Sequence, residues 1–110
     1  MKINEVEQLV GVTKRNIRFY EKEGLLSPGR TDNGYRDYGE EDVEALRKIK
    51  LLRKLSLEVG TISRLKAGEL TLSQALREQA AVLEADRGDL ERYAQVCLEM
   101  SRTEVDFGTL

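Results

Sequence analysis

The 110-residue chain contains no histidine, no tryptophan, one proline and a single cysteine, Cys97. Without histidine it lacks the most common general base and metal ligand near neutral pH. One cysteine cannot form an internal disulfide bond. No run of about 18 apolar residues could span a membrane, and no apolar signal segment follows the start of the chain. These absences argue against an enzyme, a metal site, a cofactor and a membrane protein, and they predict a cytoplasmic location.

Charge is unevenly distributed along the chain. The net charge is -2, yet residues 1–66 hold 14 Lys and Arg against 11 Asp and Glu, whereas residues 67–110 hold 4 against 9. An average close to zero therefore conceals a basic N-terminal part and an acidic C-terminal part. This asymmetry is compatible with phosphate binding by the N-terminal part alone.

Two short helices are predicted at the start of the chain, over residues 4–10 and 13–23. Asn4 and Thr13 are residue types that favour the N-cap position, and Gly11 suits the left-handed conformation that often ends a helix. Only two residues separate these helices. This spacing is typical of a helix-turn-helix motif.

A β-hairpin is predicted after the helix pair. Asn33 and Gly34 tolerate the positive φ angles of a tight turn, and residues 35–38 form a short strand with Arg36 and Tyr38 on the same face. The hairpin is either a solvated surface element or a wing that contacts a nucleic acid.

Three further helices are predicted, over residues 40–55, 57–66 and 71–101. The first carries acidic residues in its first turn and basic residues in its later turns, as the helix dipole favours. The last begins with Thr71 and Gln74, which have the spacing of a capping box. At 1.5 Å per residue it is about 45 Å long, too long to pack wholly against so small a head.

The last helix carries an apolar stripe with a seven-residue period, which is typical of a coiled coil. Such a stripe pairs with a second copy of the chain or docks against a part of a longer chain. Cys97 in this stripe is read as a small buried hydrophobe, with a thiol sensor or intersubunit ligand as the alternative. The predicted dimerisation residues are Leu72, Leu76, Leu83, Leu90 and Cys97.

The second helix carries a cationic face that suits DNA. Its N-terminal half would enter the major groove, where Lys14, Arg15 and Asn16 reach base edges. Arg18 and Tyr20 would contact phosphates, while Arg36 and Tyr38 of the hairpin would contact a phosphate and a sugar. The acidic residues of this helix, Glu21 and Glu23, are confined to its C-terminal end.

These residues closely resemble the mercury-resistance-regulator (MerR) family. The resemblance rests on Thr13 to Glu21, Gly24 to Leu26, Arg30, Asn33 to Tyr38, Asp42, Val43, Leu46 and Ile49. It implies a mainly α fold with a winged helix-turn-helix head over residues 1–68, and a dimerisation helix and short tail over residues 69–110 that form an antiparallel coiled-coil dimer.

The resemblance also implies site residues and a mechanism. Residues 13–20 would form the recognition helix, and Arg53 and Lys54 would adjoin a second wing formed with residues 57–66. Members of the family bind as homodimers to double-stranded promoter DNA, and effector binding bends and untwists that DNA to realign the elements that RNA polymerase reads, so polymerase is an indirect partner.

The chain departs from the family pattern at several places. Ser56 and Gly60 stand where the family has glycine and glutamate, and one cysteine replaces the several that metal and redox sensors carry. The effector is therefore left open, and so is whether the chain is a minimal regulator or the DNA-binding fragment of a longer effector-sensing one. A winged-helix architectural DNA-binding protein and a coiled-coil interaction protein are the alternatives from other classes.

Overall fold

The computed structural model describes residues 1–103 and 106–109. The chain divides into two compact units, Met1–Ala75 and Leu76–Leu110. The predicted division after residue 68 lies earlier than this one, because Ala75 is buried with the core of the first unit.

The first helix, α1, runs from Ile3 to Val10. Asn4 was expected to cap it, and this expectation is wrong because the N-cap lies two residues earlier, at Lys2. The carboxylate of Glu5 accepts a hydrogen bond of 3.3 Å from the backbone N–H of Lys2, which satisfies a group that the helix leaves free. Gly11 ends the helix at φ 69°, as predicted.

The second helix, α2, runs from Lys14 to Lys22 and has Thr13 as its N-cap. The Thr13 hydroxyl accepts a hydrogen bond of 3.2 Å from the backbone N–H of Asn16, which confirms the predicted cap. The Glu7 carboxylate accepts a second bond, of 2.7 Å, from the backbone N–H of Lys14. This bond fixes the start of α2 against α1, so the helix-turn-helix pair has a defined geometry.

The hairpin consists of two very short antiparallel strands, β1 (Gly29–Arg30) and β2 (Arg36–Asp37). Gly34 supplies the positive φ of the turn, at 82°. The second strand stops before Tyr38, because the Tyr38 backbone N–H donates to the carbonyl oxygen of Met1 at 2.8 Å. This pairing removes Tyr38 from the hairpin and turns it towards the protein interior.

The remaining helices of the first unit are α3 (Glu40–Lys54) and α4 (Val59–Lys66). Helix α4 begins two residues later than predicted, because Leu57 lies in the turn and is buried. Ser56 in the same turn adopts φ 66°. The core of the unit gathers side chains from all four helices, and its largest fully buried members are Tyr38, Ile17, Leu46, Leu57 and Val6.

The last helix, α5, runs from Leu72 to Ser101. Its predicted capping box is confirmed: the backbone N–H of Gln74 donates to the Thr71 hydroxyl and the backbone N–H of Thr71 donates to the Gln74 side chain, both at 3.1 Å. The described residues form no helix that is long and apolar enough to cross a lipid bilayer. The prediction of a mainly helical fold with a small hairpin and a long C-terminal helix is confirmed.

Candidate nucleic-acid interface

Helix α2 presents a polar face because its apolar residues are turned inward. Ile17 is fully buried, and the side chains of Arg15, Asn16 and Arg18 are exposed. Thr13 at the N-cap is exposed too, and the first turn of the helix contains no acidic residue. The predicted base-reading half of α2 is therefore a cationic surface next to the positive end of the helix dipole.

Lys14 differs from its neighbours because it is only half exposed. Its backbone N–H is held by Glu7, so the start of the polar face is firmly attached to α1. Its side chain still belongs to the cationic surface that was predicted from the sequence.

The structure buries both tyrosines of the predicted interface. The prediction that Tyr38 projects from the hairpin to a sugar is wrong, because its side chain is 1% exposed and its hydroxyl is enclosed without a hydrogen-bond partner among the described residues. Tyr20 is also buried, and its ring contacts the ring of Phe19. Its position favours a packing role over the phosphate contact that was predicted.

Arg36 is held by a residue that the sequence analysis did not place in the site. Its Nε donates to both carboxylate oxygens of Glu21, at 2.8 and 2.7 Å. This hydrogen bond, together with the negative charge of Glu21, raises the pKa of Arg36. The pair joins α2 to β2 across 15 positions of sequence, and no local pattern indicates such a contact.

Arg18 and Arg36 line one groove, of about 820 Å³, between the start of α1, helix α2 and the hairpin. Lys2 and Arg30 also line it, and neither was predicted as a site residue. One acid of the groove, Asp37, is engaged by the Met1 ammonium group at 2.7 Å. The groove thus combines cations from three separate chain segments.

The buried Tyr38 lies beneath this groove. Burial is the main cause that raises its pKa, and the charge of Glu21 adds to the effect. The positive charges of Arg36 and Arg18 act in the opposite direction, so both arginines are close enough to influence the same phenol.

Arg53 and Lys54 lie at the end of α3 and do not line the groove. Both are exposed, but the Nη1 of Arg53 donates to the carbonyl oxygen of Leu57 at 2.7 Å. Arg53 therefore stabilises the turn between α3 and α4. Any contact with DNA by these two residues would be separate from the groove.

The predicted dimerisation residues form an exposed set on α5. Leu72, Leu76, Leu83, Leu90 and Cys97 are all exposed within this single chain. Over residues 1–103 and 106–109, no group of three or more Cys, Asp or Glu side chains is arranged to hold a metal ion.

Comparison with known proteins identifies the family. Residues 1–69 match the family model described as MerR HTH family regulatory protein. The chain is 38% identical over 104 residues to heavy metal-dependent transcription regulator 2 of Rhizobium meliloti (strain 1021), which covers 94% of this chain and 71% of that protein. The HTH-type transcriptional regulator HmrR of Sinorhizobium medicae (strain WSM419) matches with the same identity and coverage.

Solved structures agree on the fold. The N-terminal part of the Bacillus subtilis multidrug transporter activator, MtaN, has a TM-score of 0.80 and 24% identity, covering 94% of this chain and 99% of that chain. HiNmlR, a MerR family regulator lacking the sensor domain and bound to promoter DNA, has a TM-score of 0.63 and 23% identity, covering 86% and 78%. The chain belongs to the MerR family, whose members are transcription regulators and not enzymes.

Proposed function

We propose that this regulator binds double-stranded promoter DNA, with the N-terminal half of α2 in the major groove and the hairpin as a wing along the backbone. The observation that carries the proposal is the groove that Arg18 of α2 and Arg36 of β2 line together. Two arginines on adjacent elements can contact the phosphate backbone at two points, which suits that backbone better than one cationic helix alone does.

The exposed face of α2 supplies the groups that read bases. Arg15 and Lys14 suit guanine, whose major-groove edge carries two acceptors, and the amide of Asn16 suits adenine. The Thr13 hydroxyl at the start of the helix is exposed and keeps its own hydrogen to donate, so it suits a phosphate. Arg53 and Lys54, at the end of α3 and separate from the groove, would contact the DNA backbone beside a second wing formed with residues 57–66.

We further propose that the regulator acts as a homodimer through an antiparallel pairing of two α5 helices. The exposed leucines at seven-residue intervals support this pairing, because such a stripe is stable in water only when it is covered. A dimer would place two heads on two half-sites, and its combined contacts would offset the cost of bending and untwisting the DNA, about 1–6 kcal/mol. RNA polymerase would respond to the altered DNA, in the cytoplasm of a bacterium.

The proposal is tested by selecting duplexes from a random pool with the purified protein and measuring their affinity by fluorescence anisotropy at several salt concentrations. We expect Arg18→Ala to lower the affinity and to reduce the salt slope by about 0.9, the value for one phosphate. We expect Arg15→Ala to lose about 1–3 kcal/mol of discrimination at one base pair, with little change elsewhere.

The matched control is Arg92→Ala, which removes an equally charged side chain, 71% exposed, from the face of α5 opposite the leucine stripe. It should leave affinity and salt slope unchanged, provided that the oligomeric state is also unchanged. A parent protein that selects no sequence, or an Arg18→Ala variant with the same binding as Arg92→Ala, would contradict the proposal.

A further inference from the structure

We infer that Glu21 is a positioning residue for DNA binding, which holds Arg36 by its Nε so that the two Nη groups face a backbone phosphate. The inference rests on the proposed function and deepens it. It assigns a role in DNA binding to an acidic side chain, the type of residue that a phosphate backbone normally repels.

The ion pair uses one nitrogen of the Arg36 guanidinium group. Both oxygens of Glu21 accept from the Nε of Arg36, at 2.7 and 2.8 Å. The two Nη atoms have no hydrogen bond to any described residue. Since the guanidinium group has donors on all three nitrogens, the pair leaves the whole terminal fork available for a phosphate.

The two partners of the ion pair differ in burial. Glu21 is 17% exposed whereas Arg36 is 43% exposed, so the acid is the inner partner and the cation is the outer one. A phosphate that approaches from solvent therefore meets the guanidinium group before the carboxylate. An ion pair this exposed contributes little to folding stability, and we assign its value to orientation instead.

The ion pair joins two different elements of the first unit. Glu21 belongs to α2, which would occupy the major groove, and Arg36 belongs to β2, which would follow the backbone. The pair is a direct link between these two elements and fixes the distance between a base-reading group and a phosphate-binding group. An arginine held in advance also loses less rotational freedom when it binds.

The opposite role, in which Glu21 competes with phosphate for Arg36, predicts the opposite sign. If the acid were a competitor, its removal would strengthen DNA binding, as removal of a negative charge near DNA generally does. If it is a positioning residue, its removal weakens binding despite the gain in net positive charge.

The experiment compares Glu21→Ala with Glu23→Ala on the selected duplex. Glu23 is an exposed acid at the end of the same helix and makes no hydrogen bond to Arg36, so its removal changes the net charge equally. We expect Glu21→Ala to bind about tenfold more weakly, with a salt slope reduced by about 0.9. Glu23→Ala should bind as the parent does or more tightly, and Glu21→Gln, which keeps one acceptor, should lie between the parent and Glu21→Ala.

A double-mutant comparison separates positioning from a general structural effect. The double variant of Glu21→Ala with Arg36→Ala should bind no more weakly than Arg36→Ala, because the acid acts through the arginine and its own charge only repels phosphate. Equal thermal stability of Glu21→Ala and Glu23→Ala would show that a folding defect is not the cause. Additive losses in the double variant, or tighter binding by Glu21→Ala, would overturn the inference.

A measurement on the parent protein completes the test without any variant. The side-chain Nε–H of Arg36 should give an observable nuclear magnetic resonance signal in the free protein, because it is held in a hydrogen bond, and the signal should persist in the DNA complex. Its loss on DNA binding would show that the pair breaks, which overturns the inference while leaving the proposed function intact. A protein that binds no duplex would overturn both.

Discussion

The ammonium group of Lys50 donates a hydrogen bond to the carbonyl oxygen of Val10, at 2.9 Å, and thereby attaches α3 to the last turn of α1. That carbonyl is one of the groups that a helix end leaves without a partner. A Cβ on residue 11 would lie 2.8 Å from the same Nζ. Gly11 therefore provides the left-handed φ that ends α1 and also the space through which Lys50 reaches the helix end.

Loss of this ammonium group should destabilise the helix pair. We expect Lys50→Met, which keeps most of the aliphatic stem, to lower the free energy of unfolding by about 1.5 kcal/mol because the half-buried carbonyl loses a charged donor. Urea denaturation measures the change. Lys48→Met, an exposed position on the same helix, should have little effect, and equal losses in the two variants would contradict the capping role.

Ser56 should be replaceable by glycine with a gain in stability. It has φ 66°, and its turn has the hydrogen bonds of a left-handed helix end, from Ser56 N–H to the Arg53 carbonyl at 2.9 Å and from Leu57 N–H to the Leu52 carbonyl at 3.1 Å. We expect Ser56→Gly to raise the free energy of unfolding by about 1 kcal/mol, because a side chain is strained at this φ.

The control for that change is Ser27→Gly, an exposed serine outside the positive-φ region. There glycine only adds freedom to the unfolded chain, so stability should fall or stay the same. A loss of stability in Ser56→Gly would show that the serine hydroxyl contributes more than the backbone strain costs.

Near neutral pH, Tyr38→Phe should have a free energy of unfolding equal to that of the parent or higher by up to about 1 kcal/mol. The reason is that a buried hydroxyl without a partner costs free energy, and the substitution removes it. DNA affinity should be unchanged, since the hydroxyl is enclosed. Tyr93→Phe, at an exposed position on α5, should alter neither property. A marked loss of DNA affinity in Tyr38→Phe but not in Tyr93→Phe would support the contact between Tyr38 and a DNA sugar that the sequence predicted.

Tyr38→Phe should also change how the free energy of unfolding depends on pH. Burial raises the pKa of Tyr38 in the folded state above its ordinary value of about 10. The unfolded chain then releases this proton first, so the stability contributed by the neutral phenol is present below about pH 10 and is lost as the pH rises through the folded-state pKa. The free energy of unfolding of the parent should therefore fall more steeply above pH 10 than that of Tyr38→Phe, and parallel curves would contradict the burial effect.

Local sequence patterns predicted the parts of this fold that depend on near neighbours. Thr13, Gly11 and the capping box of α5 each need contacts within a few residues, and all three are as predicted. The glycine that the family resemblance led us to expect at position 56 corresponds to a real positive φ, although a serine occupies it.

The failures involve contacts between distant segments. Alternation along the strand placed Tyr38 beside Arg36, but backbone pairing with Met1 ends the strand and turns Tyr38 inward. The partner of Arg36 was missed for a similar reason, because Glu21 lies on another element, 15 positions away in the sequence. Such contacts depend on how the elements pack, and a periodic pattern carries no information about that.

The leucine stripe of α5 gives the clearest test of the proposed dimer. Leu76 and Leu83 are 38% and 40% exposed in the single chain, and a charge on this stripe should be incompatible with a buried helix pair. We expect the parent to sediment as a dimer at micromolar concentration and Leu83→Lys to sediment as a monomer. The control, Ala85→Lys, places the same charge two residues away and thus about 200° around the helix, where it should leave the dimer intact. Because two heads on one dimer bind two half-sites at once, the monomeric variant should also lose most of its affinity for a double site but keep its affinity for a single half-site. A Leu83→Lys variant that stays dimeric would show that another surface joins the two chains.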